Sequence, residues 1–207
     1  PYLMLKQKNL VKNDVLNTDK FGFRYTDSFK KFTILDDIEK KKDEEQIAVI
    51  GNSTAFGIGA SSDKTTIPSY LTNLSNKRVY NLALRTCNSF QELILFLQVL
   101  NKFDNLKTVV IVSGFNDVLI DKYVENKPLL NPPLFYQNKF NDMNKNLQNS
   151  FFKNLIDKIT FKNIINKKPN FEIDKAFDWK ENFSKNLKVW ASISNEFNFK
   201  IIFSLQP

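Results

Sequence analysis

The chain has 207 residues, a length that fits one domain, and 42% of them are apolar, which is enough for a sizeable core. The net charge is +8, but the lysines are scattered among acidic and amide residues, which argues against a nucleic-acid footprint. The single cysteine, Cys87, excludes an internal disulfide, and no stretch is long and apolar enough to span a membrane. The chain contains no histidine, so a serine–histidine hydrolase cannot be complete within these residues.

Residues 1–45 are polar and mixed, with turns indicated at Asn17, Asp19 and Gly22, and we interpret them as an N-terminal approach segment. An α/β domain follows over residues 46–207. The apolar patterning predicts, in order, a strand over 46–50, a helix over 65–74 capped by Thr65 or Thr66, a strand over 78–83, a helix over 89–103 and a strand over 108–113. At the start of the helix over 89–103, Ser89 and Glu92 have the capping-box spacing. This alternation is typical of a parallel sheet with right-handed crossovers.

The second half of the domain is less regular. The sequence predicts a proline-containing loop over 127–135, helices over 141–166 and 178–198, and a fourth strand over 200–205. Residues 127–176 form either a helical insertion that caps the site or an ordinary extended crossover. Because the chain begins at Pro1 rather than at Met, and because an α/β fold seldom ends on a bare central strand, we expect further chain before Pro1 and after Pro207.

The turn after the first strand carries Ser53, the residue best placed for chemistry. A serine between glycines at the carboxyl end of a parallel strand lies at the edge where α/β proteins bind ligands, and backbone N–H groups there can face an anion. The spacing differs from the Gly-x-Ser-x-Gly elbow of α/β-hydrolases. The alternative interpretation is a helix N-cap, the usual role of a serine that precedes a helix.

Three blocks, each at the end of an apolar strand, resemble the motifs of SGNH (GDSL-like) hydrolases. Residues 51–53, Gly-Asn-Ser, with Gly57 four residues after the serine, are similar to the GDSxxxG block, with Asn in place of the usual Asp. Within residues 80–89, Thr86 stands at the position of the family's glycine. Residues 114–117, Gly-Phe-Asn-Asp, are similar to the GxND block.

The approach segment extends the resemblance, since Asn17 and residues 22–24, Gly-Phe-Arg, are similar to the corresponding part of some bacterial members. The likeness therefore covers most of residues 17–120. It implies a flavodoxin-like three-layer α/β/α fold with a central parallel sheet, the SGNH hydrolase fold.

The resemblance also implies a role for each matching residue. Ser53 would attack an ester carbonyl, and the oxyanion would be bound by the backbone N–H groups of Ser53 and Thr86 and by the side-chain amide of Asn116. Thr86 keeps the N–H of the usual glycine but adds a Cβ, which could tilt the donor or narrow the pocket. Substrate contacts are expected from Gly51, Asn52, Thr54, Arg85 and Asp117.

Structural roles stand beside several of these. Arg85 could bind an anionic substrate group or make a surface ion pair. Asn116 and Asp117 could form a turn and a cap after the third strand, and we expect Asp117 to hold the loop rather than to act as an acid or base. Cys87 is expected to be a small buried residue.

The implied activity is a serine esterase that cleaves a small acyl ester, such as an O-acetyl group on a carbohydrate or cell-envelope glycan, through an acyl-enzyme. The same site could pass the acyl group to a sugar as an O-acetyltransferase. The family's general base lies in a DxxH block that is absent here, so the alternative is a non-catalytic glycan-binding or scaffold relative. No cofactor, metal or nucleic-acid partner is expected. The expected compartment is the bacterial cell envelope, with the cytoplasm as the alternative.

Overall fold

The structure is a computed structural model, and it describes residues 10–27, 31–32, 44–123 and 178–206. The strands in these residues are β1 Thr26–Asp27, β2 Lys31–Phe32, β3 Gln46–Gly51, β4 Arg78–Asn81, β5 Leu106–Ser113 and β6 Lys200–Leu205. The α-helices are α1 Ser53–Phe56, α2 Ile67–Ser75, α3 Ser89–Val99, α4 Phe115–Tyr123 and α5 Trp179–Glu196. The predicted insertion over 127–176 and the predicted helix over 141–166 lie outside the described residues.

Four strands form one parallel sheet in the order β4-β3-β5-β6. Val49 of β3 lies opposite Asn81 of β4 on one side and opposite Val110 of β5 on the other. Counted by their order in the chain, the strands lie 2-1-3-4, which matches the first four positions of the flavodoxin-like order. The parallel α/β sheet predicted from the alternation of strands and helices is therefore confirmed.

Alternating side chains along β3 divide the core into two clusters, one on each face of the sheet. Ile50 belongs to the cluster that contains Phe96 of α3 and Trp190 of α5, whose ring centroids lie 4.7 Å apart. Val49 belongs to the other cluster, which contains Phe56 of α1. Helices thus flank both faces of the sheet, as a parallel sheet with two apolar faces requires.

The helix caps differ from the prediction at α3. The helix begins at Ser89, but its cap is Asn88, whose Oδ1 accepts the Gln91 N–H at 2.9 Å while Gln91 Oε1 accepts the Asn88 N–H at 3.1 Å. The predicted capping box of Ser89 with Glu92 is therefore wrong by one position. At α2, Thr66 is the cap, which was one of the two predicted residues.

Other element ends follow from local hydrogen bonds. β4 ends at Asn81, earlier than predicted, because the Asn81 side chain accepts the Ala83 N–H at 3.1 Å and turns the chain. α3 ends at Val99 and passes into a short 3-10 turn. α4 begins directly after the β5 turn and was not predicted as a helix. β6 has the predicted bounds.

Residues 10–27, part of the approach segment, turn around the side chain of Asp19. The Asp19 carboxylate accepts the N–H groups of Phe21 at 2.8 Å and of Phe23 at 2.9 Å, which confirms a turn in this region. The Phe23 ring is buried in the core beneath the sheet. None of the helices in the described part of the chain is long and apolar enough to cross a membrane.

Candidate functional site

The carboxyl ends of β3 and β5 lie side by side at the point where the strand order reverses. Gly51 of β3 is in register with Val112 of β5, so the turns that follow both strands leave the sheet together. Ligands of open parallel sheets bind in the crevice at such a switch point. The turn after β3 carries Ser53, and the turn after β5 leads to Asn116.

Ser53 is the first residue of α1, and a single residue, Asn52, separates it from β3. Asn52 is the cap of this helix, because its Oδ1 accepts the Thr54 N–H at 3.2 Å. The alternative prediction that Ser53 is the cap is therefore wrong. Ser53 is half-buried, and its hydroxyl has no hydrogen-bond partner among the described residues. This hydroxyl is free to take part in chemistry.

Gly51 is required by close packing. Its φ is +153°, and a Cβ at this position would lie 2.2 Å from the carbonyl oxygen of Val112. The Gly51 carbonyl also accepts the Leu84 N–H at 3.0 Å, which fixes the loop after β4 beside the Ser53 turn. The predicted substrate contact of Gly51 is at odds with this burial, since both Gly51 and Asn52 are enclosed.

Thr86 has a backbone conformation that suits glycine. Its φ is +63°, in the left-handed region, which is a true outlier for a β-branched residue. This explains why a glycine would be the natural occupant of the position. The Thr86 hydroxyl is buried without a partner, and no described carbonyl accepts its N–H. Strain of this kind, held by the surrounding structure, is concentrated at functional sites.

Asn116 connects the second and third blocks. Its side chain is buried, and Nδ2 donates to the carbonyl oxygen of Cys87 at 2.6 Å, which places the amide next to the Cys87–Asn88 peptide at the start of α3. An amide nitrogen carries two hydrogens, so the second one is available to a ligand. Cys87 is buried as predicted, and burial raises the pKa of its thiol to about 12, which makes it a poor nucleophile.

Asp117 accepts two hydrogen bonds from Ser89 at the start of α3. The side chain is fully buried, and its two oxygens accept the Ser89 hydroxyl at 2.6 Å and the Ser89 N–H at 3.0 Å. Burial raises its pKa, and the hydrogen bonds from Ser89 oppose that rise. The carboxylate therefore holds the start of α3, as the loop-holding interpretation expects. A direct substrate contact by Asp117 is at odds with this placement.

Thr54 and Arg85 lie on the exposed side of the same edge. Gln206, which follows β6, donates from Nε2 to the Thr54 hydroxyl at 2.6 Å, and its backbone N–H donates to the Ser113 carbonyl at 2.9 Å. Gln206 thereby joins the end of β6 to the Ser53 turn, a contact that the sequence did not indicate. Arg85 is exposed and makes no ion pair with any residue that the structure describes.

Buried polar atoms without partners accumulate at this edge of the sheet. Most buried polar groups in proteins are hydrogen-bonded, so each exception calls for an explanation. The exceptions at the carboxyl edge are Asn52 Nδ2, Thr86 Oγ1, both carboxyl oxygens of Glu92, Ser113 Oγ and Gln206 Oε1.

A buried ion pair fixes the approach segment to the Ser53 turn, and the sequence did not indicate it. Arg24 Nε lies 2.8 Å from Asp63 Oδ1, and Arg24 Nη1 donates to the carbonyl of Gly57 at 2.7 Å. Asn17 Nδ2 donates to Asp63 Oδ2 at 2.7 Å. The resemblance had drawn attention to Asn17 and Arg24, and their shared partner Asp63 supplies the physical reason for both.

The described residues hold no group of three His, Cys, Asp or Glu side chains that could bind a metal ion. A surface groove of about 280 Å³ lies at the opposite, amino edge of the sheet, between Phe103 and Phe199. It holds no residue of the three blocks, so it is separate from the site at Ser53.

The chain matches no protein-family model and no curated protein sequence. The likeness to SGNH hydrolases therefore depends on the three blocks and on the approach segment.

Proposed function

We propose that this chain is the nucleophile-bearing part of an SGNH-type serine esterase that cleaves a small acyl ester, with an O-acetyl group on a carbohydrate or cell-envelope glycan as its substrate. The observation that carries the proposal is the hydroxyl of Ser53, which has no partner among the described residues, at the switch point of the sheet. Asn116 lies in the helix that follows β5, and Thr86 lies in the loop that follows β4. Three independent blocks of sequence thus contribute to one edge.

In the proposed mechanism, Ser53 Oγ adds to the ester carbonyl and its proton passes to a general base. The oxyanion accepts hydrogen bonds from the N–H groups of Ser53 and Thr86 and from the second amide hydrogen of Asn116. Each such donor is worth about 3 kcal/mol in the transition state. Collapse of the intermediate breaks the bond to the alcohol, which leaves with a proton from the base, and water then releases the acyl group from Ser53.

The general base lies outside residues 1–207 in this proposal, because the chain contains no histidine. Two side-chain atoms beside the Ser53 turn have no partner among the described residues, Asn52 Nδ2 and Gln206 Oε1. They can form hydrogen bonds with a segment that supplies the base.

Two other functions follow from particular observations. If a sugar hydroxyl replaces water in the second step, the same acyl-enzyme makes the protein an O-acetyltransferase. A non-catalytic, glycan-binding role is favoured by the absence of histidine from residues 1–207 and by Thr86, which adds a Cβ at the position of the family's glycine.

The test is acetate release from p-nitrophenyl acetate and from acetylated xylan by the full-length protein. Ser53→Ala is compared with Ser61→Ala, since Ser61 is an exposed serine whose hydroxyl bonds only Thr65. We expect Ser61→Ala to keep the wild-type rate and Ser53→Ala to lose more than about 10³-fold, the range for removal of a nucleophile. Transfer of acetate to added oligosaccharide in place of free acetate indicates the transferase. Equal rates for wild type and Ser53→Ala contradict the proposal.

A further inference from the structure

Two carboxyl groups lie buried behind the site, and only one of them has hydrogen-bond partners. Asp117 is fully buried, and both its oxygens accept hydrogen bonds from Ser89. Glu92, in the first turn of α3, is 1% exposed, and neither of its oxygens has a hydrogen-bond partner among the described residues. The ionised form of Asp117 therefore has hydrogen-bond support that the ionised form of Glu92 lacks.

The proton positions around Asp117 follow from the donors. Asn186 Nδ2 donates to Ser89 Oγ at 2.8 Å, so the hydroxyl oxygen of Ser89 is the acceptor there and its own proton is directed to Asp117. The Ser89 N–H is a second donor to the same carboxyl. Burial raises the pKa of Asp117, and these two hydrogen bonds, which favour its ionised form, oppose that rise.

Glu92 has the opposite environment. Burial raises its pKa well above the ordinary value of 4.5, the nearby charge of Asp117 raises it further, and only the facing hydroxyl of Ser113 lowers it, without reaching hydrogen-bond geometry. The other titratable group that faces Glu92 is Cys87, whose pKa the Glu92 charge helps to raise. A charge buried without partners is costly, so the group takes up a proton instead.

We propose that Glu92 is a positioning residue for the site, kept protonated so that Asp117 alone carries the charge of the buried pair and holds the oxyanion donors in place. Asp117 adjoins Asn116 in the chain, and Ser89 lies two residues after Cys87, whose carbonyl Asn116 binds. Ser89 donates to Asp117, and Asn116 donates to the Cys87 carbonyl. These hydrogen bonds, which we call the clamp, therefore hold the start of α4 against the start of α3 and the loop before it. The inference rests on the proposed function, since it takes Asn116 as an oxyanion donor.

Ionisation of Glu92, which lies three residues after Ser89 on α3, would place a second negative charge close enough to interact with Asp117. The repulsion between the two carboxylates would be relieved by loss of the Ser89 hydrogen bonds or by entry of water. Either change moves Asn116 and Thr86 away from the places where they meet an oxyanion. Glu92→Gln keeps the size and neutrality of the acid and cannot ionise.

The test is a pH titration of the full-length protein by NMR, with two resonances followed in parallel. The carboxyl ¹³C resonance that is missing in Glu92→Gln reports the protonation of Glu92, and the side-chain amide resonance that is missing in Asn116→Ala reports the position of Asn116. We expect Glu92 to titrate well above 4.5, and the Asn116 amide to shift with the same midpoint in wild type but not in Glu92→Gln.

Labelling of Ser53 by a fluorophosphonate over the same pH range separates this inference from the proposed function. We expect the labelling rate of wild type to fall at the Glu92 midpoint, and Glu92→Gln to lack this fall. A carboxyl that titrates near 4.5, or an Asn116 amide that does not follow it, overturns the inference even if Ser53 is labelled. An Asn116 amide that follows Glu92 without any labelling supports the clamp and overturns the esterase. If a variant does not fold, triple-resonance assignment of the wild-type spectrum identifies the same two resonances, and the wild-type titration then tests the inference by itself.

Discussion

The buried ion pair of Arg24 and Asp63 tests how the approach segment supports the nucleophile turn. The two side chains are 3% and 2% exposed, and Arg24 spans from Asp63 to the carbonyl of Gly57 at the end of α1. Asp63→Ala leaves the guanidinium buried without its countercharge, which costs about 3–5 kcal/mol. At roughly 2–4 °C per kcal/mol for a domain of this size, we expect the Tm to fall by about 6–20 °C.

The control is an exposed pair of the same chemistry. Lys185 and Glu181 of α5 are 64% and 52% exposed and lie 2.6 Å apart at i,i+4 spacing. Glu181→Ala is expected to cost only about 0.3–0.5 kcal/mol because solvent screens the pair. Calorimetry of the full-length protein measures both. A Tm for Asp63→Ala that falls no further than that of Glu181→Ala refutes the reasoning that Arg24 depends on Asp63 in a water-free environment.

Three further predictions concern the site. Thr86→Gly relieves about 1–2 kcal/mol of left-handed strain and adds about 0.5–1 kcal/mol of chain entropy cost. Urea denaturation should therefore give an unchanged or slightly higher free energy of unfolding, and a loss above about 1 kcal/mol contradicts the assigned strain. Asn116→Ala should lower kcat for ester cleavage by about 10²–10³-fold with little change in KM, and a purely raised KM would exclude an oxyanion role. Cys87, with a pKa of about 12, should resist iodoacetamide at pH 8 in the native protein and react after unfolding, whereas rapid native alkylation would show that the loop before α3 is open.

The parallel sheet could be predicted because its strands are short apolar runs of β-branched residues between turn residues. β6 was predicted with its observed bounds, and β3 to within one residue, since the apolar run of β3 ends at Gly51. The placement of Ser53 and Asn116 at one edge followed from the same pattern, because the carboxyl ends of parallel strands share an edge.

The supporting contacts could not be predicted, because they join residues far apart in the chain. Arg24 and Asp63 are separated by 39 residues, and Gln206 and Thr54 by 152. Glu92 is an example of a local pattern that fits two structures. Its spacing from Ser89 predicted a capping box, but Asn88 is the N-cap and the Glu92 side chain is buried. Local propensity does not distinguish a capping glutamate from a buried one, since only the packed partners decide its burial.

The most direct test of the account is mass labelling of the full-length protein with a serine-directed fluorophosphonate, with Ser53→Ala in parallel. The account predicts a single adduct on the peptide that contains Ser53 and none in the variant, because only an activated serine beside an oxyanion hole reacts quickly with this probe. A folded full-length protein that acquires no adduct, or an adduct that persists in Ser53→Ala, contradicts the claim that Ser53 is the nucleophile.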